Sequence, residues 1–101
     1  MFTSVDNRGF QLQFNNGWTI SVQFGPGNYC ERQGGDYDAP LRDRAWKSQT
    51  AEVAAWDSEG TWYDLDNFKL LDKGDTGVYG HVDVNTVATY IDHISSMPAI
   101  A

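Results

Sequence analysis

Phe10-Gln11-Leu12-Gln13-Phe14-Asn15-Asn16-Gly17-Trp18-Thr19-Ile20-Ser21-Val22-Gln23-Phe24 is the stretch whose reading decides the fold. Phe10, Leu12 and Phe14 alternate with glutamines, and Trp18, Ile20, Val22 and Phe24 alternate with Thr19, Ser21 and Gln23. A period of two is the pattern of half-buried strands. The loop length follows from parity. A two-residue loop at Asn16-Gly17 would set Phe14 opposite Thr19 and mix the faces. A loop of three, Asn15-Asn16-Gly17, sets Phe14 opposite Trp18, Leu12 opposite Ile20 and Phe10 opposite Val22. Directly opposed residues share a face, so only this register keeps the apolar side whole. It also places Gly17 at the left-handed position of a type I turn with a bulge.

A second hairpin follows the same rule. Thr50 to Asp57 and Thr61 to Leu65 flank Ser58-Glu59-Gly60. A three-residue loop opposes Val53 to Leu65 and Ala55 to Tyr63 on the face expected to be core. Trp56 then meets Trp62 on the more polar face. Residues 66–76 read as a loop, with Phe68, Leu70 and Leu71 returning to the core. Val78 to Val82 reads as a short strand. Asp83 is a helix N-cap, and the helix runs from about Val84 to Ser96. Val84, Val87, Ala88, Ile91 and Ile94 form its apolar stripe, with Asn85, Thr89, Asp92 and His93 facing away. The expected fold is α+β: a twisted antiparallel sheet of two hairpins and a short strand, with one C-terminal helix packed on it.

The 101 residues, 41% of them hydrophobic and 14 aromatic in number, suffice for one domain spanning 1–101 with a real core. No apolar run reaches the roughly 18 residues of a membrane span, so no membrane association is expected. Met1 to Asp6 lack the basic-then-apolar pattern of a signal peptide. The single Cys30 excludes an internal disulfide and a multi-cysteine zinc site. Residues 1–48 hold five basic and five acidic side chains, whereas 49–101 hold two and nine, and so carry the whole net charge of −7. Phosphate backbones require clustered Lys and Arg, so general nucleic-acid binding is disfavoured. An acidic half suits solubility and attraction to basic protein surfaces.

Gly25 to Ser48 has no period over 24 residues and holds four of the seven basic side chains, Arg32, Arg42, Arg44 and Lys47. Connections this long are uncommon and often functional. Asn28 follows the strand-ending Gly25-Pro26-Gly27. Tyr29, Arg32, Arg42 and Trp46 could stack on and pair with an anionic ligand. The plainer reading is an insertion without function. Trp56 and Trp62 are the other binding candidates, as a protein-contact patch if exposed.

Residues 16–30, Asn-Gly-Trp-Thr-Ile-Ser-Val-Gln-Phe-Gly-Pro-Gly-Asn-Tyr-Cys, resemble a motif of small uncharacterised proteins encoded by bacteriophages and prophages. Thr50 to Asp57 with the glycine turn after it, and Gly80 to Ile91, extend the resemblance to about two thirds of the chain. Arg32 to Gln49 and Asp66 to Gly77 match weakly. The resemblance implies an accessory protein acting in a bacterial host cytoplasm. It implies no activity.

No catalytic constellation emerges, so an enzyme is disfavoured. Cys30 with His81 or His93 as base is less economical than a packed thiol. Gly25-Pro26-Gly27-Asn28 lacks the Lys-Ser/Thr ending of a phosphate loop. Asp57-Ser58-Glu59-Gly60 lacks the ligand spacing of a calcium loop. Asp64 and Asp66 read as solvated surface, and two histidines in different elements make no metal site. No cofactor is expected. The leading expectation is a phage or prophage accessory protein that binds a host or phage protein, one version being an inhibitor of a defence or DNA-processing factor. The alternatives are a small-ligand or nucleotide-binding module using residues 25–48, and a minor virion component.

The derived register makes a firm expectation. Gly17→Val forces a β-branched side chain to positive φ and costs about 1–2 kcal/mol in a denaturant titration. An unchanged midpoint refutes the register.

Overall fold

The computed structural model describes residues 1–5, 8–25, 28, 30–31, 47–63, 65 and 77–99. Among these described residues five strands and one helix follow in chain order: β1 (Phe2–Ser4), β2 (Gly9–Gln13), β3 (Thr19–Gln23), β4 (Thr50–Trp56), β5 (Tyr79–Asp83) and α1 (Val84–Ser95). All neighbours are antiparallel, in the order β1-β2-β3-β4-β5. The α+β class and the helix on an antiparallel sheet are those expected. The expectations for residues 66–76, including Phe68, Leu70 and Leu71, lie outside the described residues. No described helix is long and apolar enough to cross a membrane.

The first hairpin has the derived register. Phe10 opposes Val22 and Leu12 opposes Ile20. The Phe14 N–H donates to the Trp18 carbonyl at 2.8 Å, and Gly17 takes φ 91°. Gly9 has a different reason to be glycine: a Cβ there would lie 2.1 Å from the Val22 carbonyl oxygen. The β2 and β3 backbones can therefore close only without a side chain at that point.

The second hairpin keeps its register at Trp56–Trp62 and Ala55–Tyr63 only; the expected opposition of Val53 to Leu65 gives way to Val53 opposite Tyr79. Trp56 bridges Trp62, the Asp57 N–H donates to the Thr61 carbonyl at 2.9 Å, and Tyr63 N–H to the Ala55 carbonyl at 2.9 Å. Beyond this bridge, β5 takes the place beside β4. Ala51 opposes Val82 and Val53 opposes Tyr79, so Glu52 faces two residues, Gly80 and His81. His81 has φ 54°, the only described non-glycine in the left-handed region. This is a β-bulge, and its consequence is one of parity. Tyr79 and Val82 are three apart and in a regular strand would point to opposite faces. The extra residue turns both to the core, where each is 1% exposed or less.

The core lies between α1 and one face of β3, β4 and β5. Ile20, Val22, Val53, Ala55 and Leu65 meet Tyr90 and Ile94 of the helix. The Asp83 carboxylate caps α1 by accepting the Thr86 N–H at 2.8 Å. That backbone bond, and then the Thr86 side chain, hold the Asp83 pKa below its ordinary 3.8. The cap thus contributes stability above the unfolded value and loses it as pH falls through the folded one.

The helix faces the sheet at a rotation different from the expected stripe. Val84 is 70% exposed and Ala88 is exposed, while Tyr90 is fully buried and His93 half-buried. Val87, Tyr90, Ile91, Ile94 and Met97 make the contact. Turning the large Tyr90 ring inward buries more apolar area than Ala88 could offer.

One tie holds the helix end to the first hairpin. The Asn16 Nδ2 donates to the carbonyls of Ile94 at 2.8 Å, Met97 at 3.0 Å and, more weakly, Ser95 at 3.4 Å. Its Oδ1 accepts the Trp18 N–H at 3.1 Å. The last carbonyls of a helix have no partner of their own, and here a residue nearly 80 positions away supplies one. Asn16→Asp replaces the donor with an anion facing carbonyls at the negative helix end. It should lower the unfolding free energy by about 1–3 kcal/mol at neutral pH, with part of the loss recovered on acidification. A midpoint equal to the parent's denies the tie. Ile94→Ala should cost about 2–5 kcal/mol and the half-buried Ile91→Ala distinctly less. Equal losses in chemical denaturation contradict the observed rotation of the helix.

Candidate functional site

The sheet face turned away from α1 carries three of the residues singled out from sequence. Thr19, Ser21 and Gln23 of β3 oppose Trp56, Ala54 and Glu52 of β4. At one end of this face Asn28 is buried in a polar cluster. Its Oδ1 accepts the Gly25 N–H at 2.9 Å, and its Nδ2 donates to Gln23 at 3.2 Å and Glu52 at 3.3 Å. Gln23 Nε2 reaches Ser21 Oγ at 3.1 Å. Asn28 therefore shapes the turn that leaves β3, and its polar atoms are engaged. Beside it the Glu31 N–H donates to Thr50 Oγ1 at 2.8 Å, and the Glu31 carboxylate accepts the Gln49 N–H. These bonds clasp the two ends of the long connection. Cys30 is buried, with its Sγ 3.6 Å from the Gly25 carbonyl oxygen, as a packed thiol would be.

At the other end of the face stands the tryptophan pair. The ring centroids of Trp56 and Trp62 are 5.4 Å apart and the planes meet at 51°. The turn beneath them is locked by Asp57, whose Oδ1 accepts the N–H groups of Glu59 and Thr61, both at 2.9 Å. This aspartate turn, with Gly60 at φ 84°, is the local reason the chain reverses here. Gly77 lies against Trp62: a Cβ at Gly77 would meet Trp62 Cβ at 3.4 Å. Trp62 is thus supported from two sides yet 48% exposed, while Trp56 is half-buried. Four residues separate Glu52 from Trp56 along β4, about 13 Å. Asn28 and the tryptophans therefore share a face without forming one site. Tyr29, Arg32, Arg42 and Trp46 lie outside the described residues.

Tyr63 is the next residue after Trp62 and points to the opposite side. Its ring meets Trp18 edge-on, centroids 5.6 Å apart at 87°. Its hydroxyl shares a 2.9 Å hydrogen bond with His93 Nε2. His93, read from the sequence as solvent-facing, instead pins α1 to the second turn. The hairpin that displays Trp62 is thereby fastened to the core.

Sequence reasoning missed an apolar pocket of about 380 Å³ on the helix side of the sheet. Phe10, Val22, Phe24, Ala51, Val82 and Val87 form its greasy walls, and Lys47 to Thr50 form a polar side. It exists because α1 starts beside the sheet's end, leaving Val84 at the mouth rather than in the core. The available signal was the alternation that puts Phe10, Val22 and Phe24 on one face, an apolar row that the 12-residue helix leaves partly open. Among the described residues, no three His, Cys, Asp or Glu side chains gather as a metal site.

Comparison with known protein families, with curated proteins and with solved structures finds no match.

The packing of Trp62 makes its removal mild for the fold. Trp62→Ala should lower stability by about 0.2–1 kcal/mol, the range of one cross-strand aromatic pair. A loss of several kcal/mol in thermal or chemical unfolding would make Trp62 a core residue.

Proposed function

We propose that the protein is a binding protein without catalytic activity, a phage or prophage accessory factor that docks on a host or phage protein in the bacterial cytoplasm through the Trp56–Trp62 face. The single observation that carries this reading is the half-exposed Trp62, backed by Trp56 and Gly77 on a turn locked by Asp57. Tryptophan is enriched where partner surfaces gain most of their affinity. An aromatic already held in place loses little conformational freedom on binding. Asp57, half-buried, and Glu59, exposed, flank the pair and favour a partner with basic groups around an apolar recess. Inhibition of a defence or DNA-processing factor is one form such docking takes. The phage origin rests on the resemblance of residues 16–30.

The pocket supports a second reading, a module for a small apolar ligand with a polar end toward Lys47 and Ser48. A thermal-shift screen of small amphipathic compounds tests it. A specific stabilisation that is lost in Val84→Trp, which narrows the exposed mouth, supports the ligand; no stabilisation across the screen removes it.

The docking reading is tested by immobilising the chain and its Trp62→Ala variant, both shown folded by circular dichroism, in bacterial lysate. The partner retained by the parent should be lost from the variant, with affinity weakened at least tenfold on the purified pair. Undiminished binding by folded Trp62→Ala contradicts the assignment of this face.

A further inference from the structure

The two edges of the sheet are built differently. On the β5 edge the bulge at Gly80 and His81 breaks the row of backbone groups, a common device against strand addition. The β1 edge is short, three residues, but among the described residues no bulge interrupts it. Phe2, Thr3 and Ser4 are all exposed, they contain no charge or proline, and the Phe2 side chain is 85% exposed.

The direction of the β1 backbone groups follows from its pairing. Met1 and Val5 bond toward β2: the Gln13 N–H donates to the Met1 carbonyl at 2.8 Å and the Val5 N–H to the Gly9 carbonyl at 3.0 Å. In an antiparallel ladder hydrogen-bonded pairs alternate. Thr3 opposite Gln11 is therefore the bonded pair between them, while Phe2 opposite Leu12 and Ser4 opposite Phe10 are not bonded to β2. The N–H and C=O of Phe2 and Ser4 point away from the sheet.

We infer that this edge is a self-association surface, and that its occupant is β1 of a second copy of the chain. The two outward residues are spaced two apart, so the strand is its own complement. Placed antiparallel about a two-fold axis at Thr3, Phe2 of each copy meets Ser4 of the other. All four outward groups of each strand then find partners, and the contact is isologous and closes at two. Side-chain parity agrees. Ser4, Phe10, Val22, Val53 and Tyr79 form one row across the helix-side face. The partner copy's Phe2 extends that row beyond Ser4, where its own sheet leaves it in water. Charge agrees as well. The chain carries −7 overall, yet residues 1–24 hold a single carboxylate, Asp6, against two cations, Arg8 and the Met1 ammonium, which donates to the Gln13 carbonyl at 2.7 Å. Two acidic molecules can therefore meet at this edge away from the acidic half that carries their net charge.

The test is the association state of the full chain by sedimentation over a concentration series to millimolar, with three variants. The parent should rise from 11.3 kDa toward twice that mass. Ser4→Pro removes an outward N–H and no bond to β2, and should weaken association at least tenfold with an unchanged melting curve. Phe2→Lys should do the same. Thr3→Cys places two thiols across the axis in a non-bonded pair, where Cα atoms approach to about 4.5 Å. It should form a covalent dimer under mild oxidant, whereas the parent, with Cys30 buried, should not. A parent that stays monomeric at millimolar concentration overturns the inference. So does association that survives in folded Ser4→Pro, or a Thr3→Cys chain that forms no more covalent dimer than the parent.

Discussion

Side chains on a strand alternate in direction, and five strands share an apolar face only if every connection keeps them in step. That constraint governs this molecule. The loop at Asn15-Asn16-Gly17 preserves the face between β2 and β3, and the turn at Ser58-Glu59-Gly60 preserves it between β4 and Tyr63. Where β5 would fall out of step, the bulge at His81 restores it, at the cost of a left-handed non-glycine residue. The core under α1, the display of Trp56 and Trp62 on the other face, and the outward groups of β1 all follow from the same parity.

Much of this was legible because parity is a property of the sequence. Phe10 to Phe24 and Thr50 to Trp62 each contain both arms of a reversal, so the registers could be derived by requiring one clean face. The Asp83 cap was legible because its partner, Thr86, lies three residues away. The rest depended on partners distant in the chain. Nothing near Asn16 says that it will cap a helix ending at Ser95. Nothing near His93 says that Tyr63 will reach its ring. The helix rotation turned on Tyr90, whose burial the aliphatic stripe concealed. β1 was missed because a three-residue strand carries too short a pattern to show a period, and the bulge because parity between Tyr79 and Val82 is visible only against β4.

The functional reading divides along the two faces. The helix side holds the core and, where α1 leaves the sheet's end open, the pocket. The other side carries the buried Asn28 cluster at one end and the tryptophans at the other. Asn28 spends its polar atoms on Gly25, Gln23 and Glu52, which gives it a structural role in the turn. Trp62 has the opposite character: backed by Trp56 and Gly77, half-exposed, and outside the core cluster. That difference between engaged and displayed groups distinguishes Trp62 from Asn28.

The most direct test of the parity account is the pattern of short Hα–Hα distances in solution by NMR, since only directly opposed, non-bonded pairs bring these protons close. The account predicts strong cross-strand contacts between Gln11 and Ser21 on β2 and β3, and between Val22 and Val53 on β3 and β4. A contact between Leu12 and Ser21, the directly opposed non-bonded pair in the register of a two-residue loop, would contradict it.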